Sequence, residues 1–351
     1  MSEDFMRELR TIAQETRALI LDALPAPQEP EILFQLVRAY PERGGKCLRP
    51  ALCRWCCGML GGAPQEVRRV AAAAELFHTW TLVYDDIIDE DDERRGQPSA
   101  HALARDSISH PRAVKFGADM ALLAGDIQHA ISADLVLAAT EDGLPADVAI
   151  AIARQMHHVL APGLIRGEAA DTEFEYRAID SVSHSEIEAM MRDKTGLLLA
   201  FAARAGAMAA LRTPHPDDPQ VAALADMATS AGLAFQLQDD ILGMFGDPKA
   251  VGKPIGSDLR QGKRTLLTAY AFELLDPAGS ARLRELSVAE SATDALAEAQ
   301  NLLIGCGALQ RVQDAAAAHV QRAMDILAAQ PVGPFRDLLE QWLHFLTARI
   351  T

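Results

Sequence analysis

Between its prolines and glycines, this chain reads as one amphipathic helix after another. Apolar residues recur three and four apart in nearly every segment, and no stretch alternates polar and apolar as a half-buried strand does. The breaks are turn clusters: PAPQEP from Pro25, GGAP from Gly61, EDGLP from Glu141, TPHPDDP from Thr213, DPAG from Asp276 and QPVGP from Gln330. Ser183 with Glu186, and Ser287 with Glu290, stand at capping-box spacing and mark helix starts. The pattern predicts about twelve helices and no convincing strand. The class is therefore all-α. A length of 351 residues allows two domains, but no linker is long or polar enough to part them, so residues 1–351 are read as one domain.

Charge narrows the function. The chain has 33 basic and 49 acidic residues, a net charge of −16, which argues against non-specific nucleic-acid or anionic-lipid binding. The N-terminus is charged and amphipathic, without the apolar core of a signal peptide. The apolar run from Gly196, GLLLAFAARAGAMAAL, is broken by Arg204 and too short for a bilayer, so no transmembrane segment is expected. Cys47, Cys53, Cys56, Cys57 and Cys306 lack zinc-finger spacing and fit the reduced thiols of a cytoplasmic protein.

Against this background, YDDIIDEDDERRG from Tyr84 stands out. On a helix, Asp85 and Asp89 share a face about 6 Å apart along the axis, while Asp86 points roughly 100° away. Like charges at that spacing repel, and the C-terminal end of a helix disfavours anions. A solvated acidic turn accounts for Glu90 to Glu93. It does not account for Asp85 and Asp86, which follow the apolar FHTWTLVY. A bound cation resolves the conflict, and sparse oxygen donors with room for water and phosphate suit Mg2+. Asp239 and Asp240, inside AFQLQDDILGMF, repeat the arrangement.

The cations complete the picture. Arg94 and Arg95 follow the acids, and arginine forks grip phosphate bidentately. GGKCLRP from Gly44 supplies Lys46 and Arg49. GKPIGSDLRQGKRT from Gly252 supplies Lys253, Lys263 and Arg264. RDKTG from Arg192 places Lys194 and Thr195 ahead of a helical run. Two metal-type acidic pairs and these cations describe a pocket for polyphosphates bridged by magnesium. No Walker-A spacing is present.

GGKCLRP, ELFH from Glu75, DDIID with RRG, DKTG, FQLQDD and GKPIGSDLRQGKRT, in that order over most of the chain, resemble the trans-isoprenyl diphosphate synthases, or polyprenyl synthetases. DDILGMFGDP followed by GKP resembles the actinobacterial geranylgeranyl-type branch. The resemblance implies an all-α, isoprenoid-synthase-like bundle around a deep central cavity, usually a homodimer, with the two aspartate motifs facing each other. It implies Mg2+ ligands at Asp85, Asp89 and Asp239, supported by Asp86 and Asp240. The allylic diphosphate falls to Arg94, Lys194, Thr195, Gln236 and Lys253, with Lys263 beside them. Isopentenyl diphosphate falls to Lys46, Arg49, His78 and Arg95. Catalysis is carried by Asp85, Asp86, Asp89, Arg94, Lys194 and Asp239. The expected reaction is head-to-tail condensation of isopentenyl diphosphate with dimethylallyl, geranyl or farnesyl diphosphate.

The chain departs from the family pattern at Gly243, where a third aspartate is frequent, and Asp247 lies too far on to replace it. Tyr84 replaces a frequent histidine, and Glu168 a usual glutamine, while Asp171 keeps its place. Trp80, five residues before Asp85, lies with Thr81 and Phe77 where the family sets product length. A large indole there predicts geranylgeranyl diphosphate, with farnesyl diphosphate next; the opposing reading packs Trp80 between helices. A class I terpene cyclase would leave Lys46, Arg49 and Arg95 without a ligand. A non-catalytic synthase subunit would tend to lack the aspartates.

Overall fold

The computed structural model describes residues 2–246, 255–256, 259, 262–287 and 293–347. Lys253, Asp247 and Glu290 lie outside them. Among the described residues the chain forms fourteen continuous helices. In chain order the α-helical segments begin with α1 (Glu3–Ala23), α2 (Glu31–Arg43), α3 (Leu48–Met59), α4 (Arg68–Ile88), α5 (Ala100–Asp106), α6 (Ala113–Ala138), α7 (Ala146–Gln155) and α8 (Ala161–Glu175). They continue with α9 (His184–Met191), α10 (Leu197–Ala210), α11 (Pro219–Phe245), α12 (Leu266–Leu274), α13 (Pro277–Ser287), α14 (Thr293–Gly305), α15 (Ala308–Ala328) and α16 (Pro334–Thr347).

The expected helices are present, with three corrections. A two-residue ladder, β1 (Glu93–Arg94) against β2 (Gln97–Pro98), follows the acidic segment, with Arg94 opposite Gln97. It is too short to show alternation in sequence. Its turn residues Arg95 and Gly96 both have positive φ (56° and 71°), the signature of a type I′ hairpin. Second, RDKTG does stand ahead of a helical run, α10, but it is itself helical and not a loop. Arg192–Gly196 is a π-turn joining α9 to α10, as Met156–Leu160 joins α7 to α8. Third, Ser183 forms the expected capping box with Glu186, but Ser287 ends α13 and donates to the Arg284 carbonyl. Its capping partner Glu290 lies outside the described residues.

Cα proximity divides the chain into two compact units. The first comprises Met1–Val159, Phe201–Ala225 and Gln330–Trp342. Its core is built on α4, whose Ala71, Ala72, Ala73, Ala74, Leu76, Phe77 and Val83 are fully buried. Small residues let its helices close up. A Cβ on Gly117 of α6 would stand 2.4 Å from the His101 carbonyl oxygen of α5, and one on Gly206 of α10 would stand 2.1 Å from that of Cys53 in α3. Cys47, Cys53, Cys56 and Cys57 are buried free thiols, as expected of small core side chains. The second unit comprises Leu160–Ala200, Asp226–Ala329 and Leu343–Thr351. Its core gathers Ile187 and Met191 of α9, Leu233, Leu237 and Ile241 of α11, Leu266 and Leu267 of α12, Leu283 of α13 and Val312 of α15.

Ala113–Asp142 and Ala146–Glu175 are each 30 residues and apolar enough, by length and composition, to match a bilayer span. Core helices of soluble proteins pass the same test. On α6, Ala121, Ala124, Gly125 and Gln128 face inward, and the Gln128 amide donates to the Val37 carbonyl at 2.9 Å.

Candidate active site

The first acidic motif ends α4. Asp85 and Asp86 occupy its last turn and Asp89 is its C-cap. Asp86, pointing away from Asp85 as the helical spacing requires, is fully buried. It accepts from the Tyr40 hydroxyl and from Arg94, whose Nε lies 2.6 Å from Oδ1. Burial pushes the Asp86 carboxyl up, and Arg94 opposes that shift. Arg94 also reaches Asp85, with Nη2 3.1 Å from Oδ2. The hairpin thus folds its first arginine back over the acid pair. Tyr40, 46 residues upstream of Asp86, was not singled out in the sequence, and it ties three helices together: its hydroxyl also accepts from the Ala100 N–H at 3.1 Å.

One pocket in this unit gathers Arg17, Tyr40, Arg43, Gly44, Gly45, Glu75, His78, Arg94 and Arg95. The paired glycines of GGKCLRP have separate tasks. Gly44 turns the chain at φ 72°, and its carbonyl accepts from Arg95 Nη1 at 2.8 Å. Gly45 leaves room, since a Cβ there would stand 3.2 Å from Glu75 Oε1 and 3.3 Å from Arg95 Nη1. Glu75 is the carboxylate that faces Arg49, Arg95 and the Cys47 thiol; burial pushes its carboxyl up. His78 is held well below the usual imidazole range by burial, and then by the charges of Arg49, Arg95 and Arg94. It therefore presents a neutral ring, able to donate one hydrogen bond. His78, Arg94 and Arg95 all line this one pocket, although the resemblance assigns Arg94 to the allylic diphosphate and the other two to isopentenyl diphosphate. Arg49 opens α3 and interacts with Glu75, and Lys46 is exposed on the connecting loop.

Above the pocket, α4 carries an aromatic ladder. Trp80 is 6% exposed and packs against Phe77 (4.9 Å between centroids), Tyr84 (5.4 Å) and His129 of α6 (4.5 Å). Gly125 of α6 makes room, because a Cβ there would stand 2.5 Å from the Tyr84 ring. The Tyr84 hydroxyl donates to Asp126 at 2.6 Å, and burial, with Asp126, pushes it up to about 12. Thr81 donates to the His78 carbonyl at 2.8 Å.

The second unit assembles another group. Lys194, on the π-turn, pairs with Asp171 at 2.6 Å and Glu168 at 2.9 Å. The approach depends on Gly167, where a Cβ would stand 2.5 Å from the Lys194 backbone nitrogen. The unusual Glu168 is thus a second carboxylate on the same lysine. Thr195 lies 3.2 Å from Gln236 Oε1, and the Gln236 amide donates to Asp240 Oδ1 at 3.0 Å. Asp240 is buried, and Asp239 beside it is half-buried near the end of α11. Lys263 is half-buried just before α12. Arg264 is corrected: it is buried and donates to the carbonyls of Glu175 and Arg177, capping the end of α8 rather than offering itself to a phosphate.

Among the described residues, no three His, Cys, Asp or Glu side chains cluster closely enough to cage an ion. Magnesium does not require that: it takes one or two carboxylates and completes its octahedron with water and phosphate oxygens. Asp85 and Asp89, oxygen donors at the end of one helix, fit that habit.

A polyprenyl synthetase family model matches residues 30–303. The chain belongs to the polyprenyl synthetase family. It is 35% identical over 311 residues to the geranylfarnesyl diphosphate synthase of Aeropyrum pernix, covering 88% of this chain and 91% of that one. The solved geranylgeranyl pyrophosphate synthetase of Pyrococcus horikoshii superposes with a TM-score of 0.87 at 29% identity, over 99% of both chains. The geranylgeranyl pyrophosphate synthase of Corynebacterium glutamicum, complexed with isoprenyl diphosphate and magnesium, has a TM-score of 0.83 at 25% identity, over 97% and 99% of the two chains. The all-α isoprenoid-synthase fold expected from the sequence is thereby confirmed.

Proposed function

We propose that this protein is a magnesium-dependent prenyltransferase, condensing isopentenyl diphosphate head-to-tail with an allylic diphosphate to give geranylgeranyl diphosphate. The observation that carries it is the pocket where His78, Arg94 and Arg95 converge beside the acidic end of α4, in a member of the polyprenyl synthetase family. Magnesium, held by Asp85, Asp89 and Asp239, would neutralise the leaving diphosphate. The remaining work falls to the chain. Lys194, Thr195, Gln236, Lys253 and Lys263 hold and orient the allylic diphosphate; Lys46, Arg49, His78 and Arg95 hold isopentenyl diphosphate. Fixed donors aimed at charge that grows during ionisation lower the barrier without reorganising. Asp86 and Tyr40 keep Arg94 beside Asp85, and Asp240 orients Gln236. The proton lost after condensation would pass to the released diphosphate, as the resemblance implies.

Trp80, Phe77 and Thr81 limit chain growth. The relatives' names favour a product longer than farnesyl diphosphate. Residues 1–351 act as one catalytic domain, and the buried free thiols fit a reducing cytoplasm. A second copy of the chain is the expected partner. Exposed Leu122, Leu123 and Leu137 of α6 and Ile150 of α7 supply an apolar surface for it. Incubation with labelled isopentenyl diphosphate, each of three allylic starters and Mg2+, followed by product sizing, tests the reading. A hydrocarbon formed from an allylic diphosphate alone would instead identify a cyclase, and no extended product would refute the condensation.

A further inference from the structure

We propose that Arg43 is a further diphosphate-binding residue, donating from Nη1 to the isopentenyl diphosphate in the pocket beside α4. This rests on the function proposed above. Arg43 is the last residue of α2, and the chain turns away from it at Gly44. Its guanidinium stacks over the Tyr40 ring at 5.2 Å, which fixes its place, and it lines the same pocket as His78 and Arg95. Its Nη1 is buried and has no hydrogen-bond partner. An arginine cannot shed its charge, so a buried N–H left without an acceptor is costly until an anion arrives.

Two other buried partnerless atoms belong to the same group: Glu75 Oε2 and Arg49 Nε. Such atoms are few in a folded chain, and their concentration marks a place completed by a ligand. Charge agrees. Of the four arginines lining the pocket, Arg94 is matched by Asp85 and Asp86, leaving Arg17, Arg43 and Arg95 against the single carboxylate of Glu75. Arg17 is exposed, has no ion pair among the described residues, and lays its stem against Gly44. It adds a second, more distant positive charge. In a protein of net charge −16, this local excess matches a ligand with several negative charges.

The test separates this contact from a structural role and from the overall reading. Isopentenyl diphosphate binding to Arg43→Met and Arg43→Lys is measured by calorimetry, which needs no turnover, alongside KM for each substrate and kcat. We expect Arg43→Met to weaken isopentenyl diphosphate binding about tenfold or more, the loss of one charge-assisted hydrogen bond. Allylic KM and kcat should stay within about twofold, and Arg43→Lys should recover part of the affinity. Unchanged isopentenyl affinity in a folded variant overturns the proposal. So does an equal loss for both substrates with a fall in kcat, which would mean that Arg43 acts only by bracing Tyr40. Should the methionine variant not fold, the lysine variant and Arg43→Gln carry the same comparison. A wild-type chain that makes no condensation product refutes the function while leaving the binding measurement to judge Arg43.

Discussion

Replacing Tyr40 by phenylalanine removes one oxygen and keeps the ring that fills the space between α2 and α4. Two buried groups then lose a partner: the Asp86 carboxylate and the Ala100 N–H. Each costs about 1–3 kcal/mol when left unsatisfied, and partial relaxation makes about 2–4 kcal/mol a fair sum. For a chain this long, that lowers Tm by roughly 3–5 °C. Activity should fall as well, because Asp86 is what holds Arg94 across Asp85. A loss of about tenfold in kcat/KM corresponds to a modest misplacement of that guanidinium. The assay is a melting curve and steady-state kinetics on Tyr40→Phe, Asp86→Asn and the double variant. The two changes should couple, the double variant being less damaged than the sum of the singles. Full additivity, or a Tyr40→Phe melting point within about 1 °C of the parent, would refute the reasoning.

Three further outcomes are expected. Glu168→Gln removes one of the carboxylates on Lys194; these side chains are partly solvated, so the effect is modest, a fall of about threefold in allylic KM, and a rise in KM would refute it. His78 is held below its unfolded value of about 6.5 by burial first, so the unfolded chain takes up the extra proton; stability is therefore full above that pH and is lost below it, by up to about 1.4 kcal/mol per pH unit for one group. His129 and His319 are shifted the same way; His78→Gln should flatten the Tm profile between about pH 7 and pH 5, and an unchanged slope removes His78 from the account. Trp80→Ala should lengthen the products seen by chromatography, at a stability cost of about 3–5 kcal/mol for emptying a packed site; an unaltered product spectrum in the folded variant would show that the indole is only core.

The helices were legible because each carries its own apolar periodicity, and the acidic pairs because carboxylates late in an apolar helix are locally anomalous. What stayed hidden depends on distance or on single residues. Tyr40 finds Asp86 across 46 positions, and no local pattern announces that. The π-turn at RDKTG differs from an α-turn by one residue, which composition does not record. Arg264 looked like another phosphate ligand because sequence shows a cation's charge but not the carbonyls it caps. Gly125 and Gly167 offered a usable signal: glycine inside a helix is unfavourable, so it marks where another element comes close.

Four non-glycine residues among those described adopt a left-handed backbone: Cys47, Glu90, Arg95 and Arg212. Cys47 and Arg95 line the arginine pocket, and Glu90 follows the Asp89 cap. For an L-residue that conformation costs about 1–2 kcal/mol, which glycine would avoid. Selection for heat tolerance alone would therefore push position 95 toward glycine, giving a sturdier turn with a blunted tip where Arg95 now lines the pocket. That the sequence keeps arginine there implies that its side chain is worth more to the organism than the melting temperature it forfeits.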